Sequence, residues 1–291
     1  MIPAPFDYVR ADSVEDALAV LGEHGEAAKV LAGGHSLIPL MKLRLATPTL
    51  LVDVGPLTEL DHVRDSGDHV AVGALTRHRR LEIDQTLRQQ VPLLCAAAAR
   101  VGDPQVRHRG TIGGSLAHGD PASDLPAAAL ALGATMVVRG PAGERLVPAA
   151  DFFRGFLDTA LGPDELLTEV RFPKAAGAGW SFQKLSRRAQ DWAIVGVAAV
   201  RAGDGGDDGA AGGGGGADGA ARCVRVALVN MGPTPLRATA VERAVAEGAS
   251  PEEAAGLAAD GTEPSADVHA TVEFRRHLAR VLVRRALEEA R

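Results

Sequence analysis

The amino-acid sequence predicts an α+β protein in which two small lobes are followed by a separate α+β unit. Up to about residue 175, short apolar runs of strand length alternate with helical segments. A Pro- and Gly-containing linker then spans Pro173–Gly179. Beyond this linker, strand-like runs come first and helices follow, which is typical of an independent α+β domain.

The first part of the chain contains four single strand candidates and one hairpin. The predicted strands are Lys29–Ala32, Thr49–Asp53, Ala134–Arg139 and Leu166–Phe172, and the predicted hairpin pairs His62–Asp65 with His69–Gly73 across Ser66-Gly67. The predicted helices are Ser13–Glu23, Val91–Arg100 and Asp124–Leu132. Either Ser123 or Asp124 is the N-cap of the last helix, and Pro126 suits its first turn. The stretch Gly140–Gly143 reads as a turn.

The second part predicts a three-stranded antiparallel sheet with helices. Its strand candidates are Trp180–Leu185, Ile194–Arg201 and Cys223–Met231, and its helix candidates are Arg237–Glu247, Pro251–Ala259 and Val268–Ala290. The segment 203–220 is almost entirely Gly, Asp and Ala, which predicts a flexible loop; no Lys-Ser/Thr pair follows its glycines, so it is not a phosphate-binding loop.

Five arginines surround an apolar stripe on the last predicted helix. The arginines are Arg275, Arg276, Arg280, Arg284 and Arg285, and the stripe comprises Phe274, Leu278, Val281 and Leu282. A solvated polar face explains these arginines, and a docking face for an acidic partner is the alternative.

The amino-acid composition excludes several classes of function. Apolar residues make up 46% of the 291 residues, which is enough for a buried core, and the net charge of −6 gives no basic field for nucleic acid. The two cysteines, Cys95 and Cys223, cannot alone form an iron–sulfur cluster or a zinc site. Their apolar neighbours predict buried thiols in a reducing compartment, with a disulfide as the alternative. Without a signal peptide or an 18-residue apolar run, a cytoplasmic location is expected, with peripheral attachment to the inner face of the membrane as the alternative.

Two Gly-Gly segments carry the functional signal. Ala32–Ser36 and Thr111–Ser115 each contain paired glycines beside hydroxyl side chains. Consecutive amides in such turns form a concave nest that suits a phosphate, so two nests point to the pyrophosphate of a dinucleotide such as FAD. Asp124 is able to accept hydrogen bonds from sugar hydroxyls. Plain tight turns, and an N-cap role for Asp124, remain the alternatives.

Four ordered segments resemble the FAD-binding medium subunits of molybdenum hydroxylases. They are Lys29–Ala46, Gly110–Pro126, Asp164–Pro173 and Phe182–Ala193. The likeness is strongest to the aerobic carbon monoxide dehydrogenase type, and xanthine dehydrogenases carry a related domain. The resemblance implies an FAD-binding domain of the PCMH (vanillyl-alcohol-oxidase-like) type in two subdomains over residues 1–175. A domain like the carbon monoxide dehydrogenase flavoprotein C-terminal domain would follow over residues 180–291.

The resemblance also implies residue roles. The pyrophosphate of a non-covalently bound FAD would lie between Ala32, Gly33, Gly34, His35 and Ser36 on one side and Thr111, Ile112, Gly113, Gly114 and Ser115 on the other. Asp124 would bind a flavin-side hydroxyl, His118 would make a polar contact, and Leu167 would touch the flavin or the adenine. Trp192 would lie against the isoalloxazine. No residue of the chain is expected to act as a catalytic acid or base.

The implied function is electron transfer. Electrons would pass from [2Fe–2S] clusters on a small partner subunit through FAD to an external acceptor, while substrate is oxidised at molybdopterin on a large subunit. The expected assembly is a dimer of such heterotrimers. One alternative is a stand-alone PCMH-type flavin oxidoreductase, with covalent FAD at Gly33-Gly34-His35. The other is a nucleotide-binding module without redox turnover.

Overall fold

The computed structural model describes residues 2–201 and 223–290, so the predicted Gly-rich loop at 203–220 lies outside the described residues. The described strands are β1 (Asp7–Arg10), β2 (Ala28–Leu31), β3 (Leu50–Asp53), β4 (Val63–Asp65), β5 (His69–Gly73), β6 (Thr135–Gly140), β7 (Gly143–Pro148), β8 (Phe153–Gly155), β9 (Asp158–Thr159), β10 (Leu166–Pro173), β11 (Trp180–Leu185), β12 (Val195–Arg201), β13 (Val224–Val229) and β14 (Leu236–Arg237). The described α-helices are α1 (Val14–His24), α2 (Leu37–Lys42), α3 (His78–Ile83), α4 (Gln85–Gln90), α5 (Pro92–Ala99), α6 (Pro104–Arg109), α7 (Ile112–His118), α8 (Asp124–Leu132), α9 (Ala149–Phe152), α10 (Thr239–Ala246), α11 (Pro251–Ala255) and α12 (Val272–Glu289).

The first lobe is a small parallel sheet with the strand order β1-β3-β2. Helix α1 covers it and buries Ala17 and Leu21 against Val52. The side chain of Ser13 accepts a hydrogen bond from the amide of Asp16 at 3.0 Å, which caps the start of α1. The lobe thereby fixes the carboxyl end of β2, where the first Gly-Gly segment begins.

The second lobe is an antiparallel sheet with the strand order β4-β5-β10-β6-β7. Its inner face packs on α5, α7 and α8 through a core rich in alanine and leucine, with Phe152 and Phe172 as its large aromatic side chains. Leu94, Leu116 and Leu125 are completely buried in the same core. Helix α7, which carries the second Gly-Gly segment, is held in place by this packing.

The carboxyl-terminal unit is an antiparallel sheet with the strand order β11-β12-β13-β14. Alternate residues of β12 point to opposite faces: Ala198 and Val200 join the core beneath α5 and α8, whereas Val197 and Ala199 pack beneath α10–α12. The sheet is therefore buried on both faces, and one of them rests directly on the helices of the second lobe.

Most predicted elements are present, with ends that coincide or are shifted by at most four residues. The predicted three-stranded sheet has a fourth strand, the two-residue β14. Local sequence patterns do not predict β1, which is short and mostly exposed, or α2, α3, α4 and α6, which have six residues each. Helix α7 lies where the sequence predicts a turn, because two of its residues are glycines.

The expectations for Arg275, Phe274 and Cys223 were wrong, whereas the expected burial of Cys95 is confirmed. Arg275 is not on a solvated face of α12: it is 1% exposed and points into the unit, whereas Phe274 of the expected apolar stripe is 45% exposed. Cys95 is buried, and burial raises the pKa of its thiol to about 12. Cys223 is exposed rather than buried, and both cysteines are free.

Candidate functional site

A cleft of about 770 Å³ lies between the two lobes and the β11–β12 loop, within the usual size range of small-molecule sites. Thirteen of the residues implicated by the sequence line it: Ala32, Gly33, Gly34, His35, Ser36, Thr111, Gly113, Gly114, Ser115, His118, Asp124, Leu167 and Trp192. Ile112 does not line the cleft, because its side chain is completely buried in the core of the second lobe. The fold thus gathers residues that are up to 160 positions apart in the sequence.

The first Gly-Gly segment has the open amides expected of a nest. It joins β2 to α2, and Gly34 has the left-handed φ of +74° that glycine tolerates best. Within residues 2–201 and 223–290, the amides of Gly33, Gly34, His35 and Ser36 donate no hydrogen bond. Because these amides lie along the cleft, they are available to an anionic group.

The second Gly-Gly segment differs from the expected nest, because it is the first turn of α7. The amide of Ile112 donates to the Thr76 carbonyl at 3.0 Å, and that of Gly113 donates to the Ala74 carbonyl at 2.8 Å. The amide of Gly114 donates to the Thr111 hydroxyl at 3.1 Å. These amides are already satisfied within the protein. The segment therefore offers the cleft a small exposed residue, Gly114, rather than a second set of free donors.

Close backbone contact explains why glycines occur in both segments. A Cβ atom on Gly33 would overlap the carbonyl oxygen of Arg109. A Cβ atom on Gly113 would lie 2.5 Å from Cβ of Ala74 and 2.7 Å from its carbonyl oxygen. Both glycines are therefore required for packing around the cleft, which sequence reasoning had ascribed to contact with the ligand itself.

A buried ion pair forms another wall of the cleft. Nζ of Lys184 lies 2.7 Å from Oδ2 of Asp124, and also donates to the Arg100 carbonyl at 3.0 Å. The other carboxylate oxygen of Asp124 is buried and has no hydrogen-bond partner in the described part of the protein. Burial raises the pKa of Asp124 to about 6, although the Lys184 ammonium opposes this shift.

Of the two N-cap candidates predicted for α8, Ser123 is confirmed and Asp124 is not. Ser123 occupies the N-cap position, but its side chain makes no capping hydrogen bond, and Asp124 is the first helical residue. Lys184 was missed as a site residue, although it stands within a segment that carries the family resemblance. No local sequence signal marks it, because its role depends on the contact between β11 and the start of α8.

The β11–β12 loop presents Trp192 at the mouth of the cleft. The Trp192 side chain is 56% exposed, so the protein alone does not bury it. Leu167, in β10, also lines the cleft and is buried. His118 ends α7, and partial burial lowers its pKa. Together these side chains line the cleft with one aromatic, one aliphatic and one neutral imidazole group.

His78 lines the cleft, although no motif in the sequence points to it. Its Nε2–H donates to the Thr111 carbonyl at 2.9 Å, and its Nδ1 atom is buried without a partner among the described residues. Burial lowers the pKa of His78 to about 4, which keeps the ring neutral near pH 7. Its ring also blocks any side chain at Gly110, next to the second Gly-Gly segment.

Among residues 2–201 and 223–290, no group of three or more His, Cys, Asp or Glu side chains is arranged to hold a metal ion. No helix in these residues is long and apolar enough to cross a membrane.

Comparison with known proteins places this architecture in a family. Residues 4–175 match the profile of the FAD binding domain in molybdopterin dehydrogenase, and residues 180–290 match that of the CO dehydrogenase flavoprotein C-terminal domain. The carbon monoxide dehydrogenase medium chain of Hydrogenophaga pseudoflava is 40% identical, and the alignment covers 100% of this chain and 98% of that one. The 6-hydroxypseudooxynicotine dehydrogenase complex subunit alpha of Paenarthrobacter nicotinovorans is 37% identical, with 100% and 96% coverage.

A solved structure agrees with these matches. The structure of carbon monoxide dehydrogenase from Hydrogenophaga pseudoflava, in a form lacking the Mo-pyranopterin moiety of the molybdenum cofactor, superimposes with a TM-score of 0.91 at 42% identity, covering 100% of this chain and 98% of the other. The chain therefore belongs to the family of FAD-binding medium subunits of molybdenum hydroxylases.

Proposed function

We propose that this chain is the electron-transfer subunit of a molybdenum hydroxylase. It would receive electrons from [2Fe–2S] clusters of a partner subunit and deliver them through non-covalent FAD to an external acceptor. The observation that carries this proposal is the single cleft that brings together the Ala32–Ser36 amides, the Asp124–Lys184 pair and Trp192. Bound FAD would supply the redox chemistry, because it exchanges electrons singly or in pairs.

The pyrophosphate end of FAD fits the first Gly-Gly segment. Four residues whose amides donate no hydrogen bond within the described part of the chain line the cleft there. Each hydrogen bond from an amide to a charged oxygen contributes about 1.5–3 kcal/mol. The surrounding sequence also favours an anion, since no Asp or Glu occurs from residue 27 to 52 or from 104 to 119. Ser115 and the exposed Gly114 complete this end of the site with a hydroxyl group and close backbone approach.

The other end of the cleft fits a group that is both polar and aromatic. The unpartnered Oδ1 of Asp124 is an acceptor for a ribityl hydroxyl of the cofactor. Lys184 places a positive charge beside this carboxylate, where it favours negative charge on a bound ring. Trp192 and Leu167 provide the apolar surfaces against which such a ring packs.

The same proposal assigns the domains and partners. Residues 1–175 would form the FAD-binding domain and residues 180–291 the flavoprotein C-terminal domain. A small [2Fe–2S] subunit and a large molybdopterin subunit would complete a dimer of heterotrimers. The relative from Hydrogenophaga pseudoflava is named a medium chain, and the solved structure of that enzyme is of a form lacking the Mo-pyranopterin moiety of its molybdenum cofactor. Both descriptions support this assignment. A cytoplasmic location is consistent with two free cysteines.

A carbon monoxide-oxidising complex is the favoured version. Carbon monoxide dehydrogenase medium chains are 40% and 39% identical over the full length of this chain. A relative named for 6-hydroxypseudooxynicotine is nevertheless 37% identical, so the substrate is set elsewhere in the assembly. The flavin subunit need not distinguish these substrates, because its FAD would receive electrons from the partner clusters and would not contact the substrate.

Purification of the complex through a tag on this chain tests the proposal. We expect two further subunits to co-purify, and the flavin absorbance of the complex to bleach when carbon monoxide, a purine, an aldehyde or an N-heterocycle is added. The FAD-loaded chain alone should not respond to the same compounds. Substrate oxidation by the chain alone would identify a stand-alone oxidoreductase, and a bound nucleotide that dithionite cannot reduce would identify a module without redox turnover.

A further inference from the structure

The loop that carries Trp192 is a thin wall with open space on both sides. It joins β11 to β12, and Trp192 lines the cleft on one side of it. On its other side is a second cavity of about 450 Å³, which Trp192 also borders together with Arg187 and Arg188. Since neither side is packed, burial alone does not fix the position of Trp192.

Few hydrogen bonds within the loop stabilise its shape. The amide of Asp191 donates to the Arg188 carbonyl at 3.1 Å, and the amide of Ile194 donates to the Leu185 carbonyl at 2.8 Å. The second of these only closes the base of the loop, where β12 begins. The carbonyl groups that follow Trp192 are held instead by side chains from distant parts of the carboxyl-terminal unit.

Asn230 provides the main attachment. Its Nδ2 atom donates to the Ala193 carbonyl at 2.7 Å and lies 3.4 Å from the Ile194 carbonyl. Its own amide donates to the Pro121 carbonyl at 2.8 Å, in the segment that leads into Asp124. Asn230 is the only asparagine of the chain, and it has a left-handed φ of +61°. Asparagine tolerates this conformation better than most residues do, so the position combines a special backbone with an amide donor.

Arg275 supports the same carbonyl from helix α12. Its guanidinium group donates to the Ile194 carbonyl and pairs with Asp267 at 2.6 Å. The side chain is 1% exposed, so the contact is shielded from water. Two donors from different elements therefore converge on the residues directly after Trp192.

We propose that Asn230 is a positioning residue that sets where Trp192 stands relative to Asp124. Its side chain fixes the Trp192 loop and its backbone fixes the Asp124 segment, so one residue holds the two sides of the cleft at a constant separation. This inference rests on the proposed function, in which both sides contact the flavin. A shift of about 1 Å at such a site can cost a hundredfold in rate.

Two substitutions separate the side chain from the backbone. Asn230→Gly keeps the left-handed backbone and removes the donor. Asn230→Asp keeps the size and turns a carboxylate towards two carbonyl oxygens, which should repel the loop. Trp192→Ala removes the ring that the loop is proposed to place, and the double variants test whether Asn230 acts through Trp192.

We expect the full-length variants Asn230→Gly and Asn230→Asp to bind one FAD per chain. Their flavin fluorescence should increase relative to the parent, as it should in Trp192→Ala. In the complex, their electron delivery to the acceptor should fall by roughly tenfold. In the Trp192→Ala background, either substitution at Asn230 should add little. The inference would be overturned, and the proposed function left standing, by either of two results. One is flavin fluorescence equal to that of the parent in both Asn230 variants, and the other is an effect of the Asn230 substitutions that is just as large in the Trp192→Ala background. If Trp192→Ala leaves the flavin fluorescence unchanged, the proposed contact between Trp192 and the flavin is wrong, and the inference falls with it.

A measurement without flavin tests the attachment itself. In a Trp180→Phe background, Trp192 is the only tryptophan. We expect Asn230→Asp to lower the fluorescence anisotropy of Trp192 in the FAD-free chain, because the loop is released. An anisotropy equal to that of the parent protein contradicts the inference, whatever the flavin shows.

Discussion

Nζ of Lys184 lies 2.7 Å from Oδ2 of Asp124, and the two side chains are only 3% and 5% exposed. The pair connects β11 of the carboxyl-terminal unit to the start of α8 in the FAD-binding part. A buried pair of this kind contributes little net stability as a pair, but each charge depends strongly on the other. The proposed flavin site therefore depends on the contact between the two parts of the chain, because Asp124 and Lys184 come from different parts.

Lys184→Met is expected to lower the free energy of unfolding by about 3–5 kcal/mol, because it leaves Asp124 buried without a counter-charge. The double variant Lys184→Met/Asp124→Leu should recover most of this loss, since it buries no unpaired charge. Urea denaturation of the single and double variants measures the coupling. Arg139→Met is the matched control: its partner Glu15 is 69% exposed, so the loss should stay below about 1 kcal/mol. Equal losses in both single variants would contradict this account.

The two glycines of α7 should respond differently to alanine. Gly113→Ala places a Cβ atom 2.5 Å from that of Ala74, so we expect overpacking to cost about 1–3 kcal/mol of stability. On Gly114, which lines the cleft, a Cβ atom would lie 2.8 Å from the Thr111 hydroxyl and 4.0 Å from Cβ of Ala32. Gly114→Ala should lose FAD affinity while keeping near-normal stability, because a helix interior favours alanine over glycine by up to about 1 kcal/mol.

Urea denaturation and FAD titration distinguish the two glycine variants. The result that contradicts the assignment is a Gly114→Ala protein with unchanged FAD affinity. A Gly113→Ala protein as stable as the parent would show that Ala74 moves aside at little cost.

Local sequence patterns predicted the fold well where an element buries a regular apolar face. The strand Leu166–Phe172 and the helix Asp124–Leu132 were found almost to the residue because nearly every side chain in them is buried. Local patterns do not predict helix α7, because its glycines have a low helix propensity. The Thr111 cap and the burial of Ile112 and Leu116 in the core stabilise the helix nevertheless.

The candidate site was predicted from short motifs, and the motifs missed what depends on three-dimensional contact. Lys184 is recognisable as a site residue only once β11 is placed against α8. His78 emerges only when α3 brings its ring to the Thr111 carbonyl. Conversely, Ile112 was included through its neighbours in the motif, although its side chain belongs to the core. Sequence proximity therefore identified the segments, whereas burial and register decided which side chains face the cleft.

Acid denaturation should release all of the flavin. Non-covalent binding is proposed. Among the described residues, the exposed His35 side chain has one hydrogen-bond partner, the Gly33 carbonyl, at 3.1 Å from its Nδ1 atom. We expect the supernatant after acid precipitation to contain the whole FAD content, and His35→Ala to bind FAD at the same stoichiometry. Flavin that stays with the polypeptide in the parent, and is absent in His35→Ala, would establish a covalent link at this residue.

Asp124 should make the FAD-free protein less stable as pH rises from about 4 to 6. Its pKa is raised from 3.8 to about 6 in the folded state, so the folded chain binds the proton more tightly than the unfolded chain in this interval. The shift corresponds to roughly 3 kcal/mol, lost progressively as pH rises through the folded pKa. The free energy of unfolding of the parent minus that of Asp124→Asn, measured in urea at each pH, should fall across this interval. A difference independent of pH would show that Asp124 titrates normally.

His78 should act in the opposite direction over nearly the same pH interval. Burial lowers its pKa from 6.5 to about 4, so between these values the unfolded chain binds the proton more tightly. Stability from this group is complete above the unfolded pKa and is lost as pH falls towards 4, with a total of roughly 3 kcal/mol. His78→Gln, which retains a donor for the Thr111 carbonyl at 2.9 Å, should remove this dependence. Because His78 and Asp124 oppose each other, the parent protein should show a shallower pH profile than either single variant, and His78→Gln should expose the full decline caused by Asp124. A His78→Gln profile that parallels that of the parent between pH 4 and 6.5 would show that the imidazole is protonated in the folded protein as readily as in the unfolded chain.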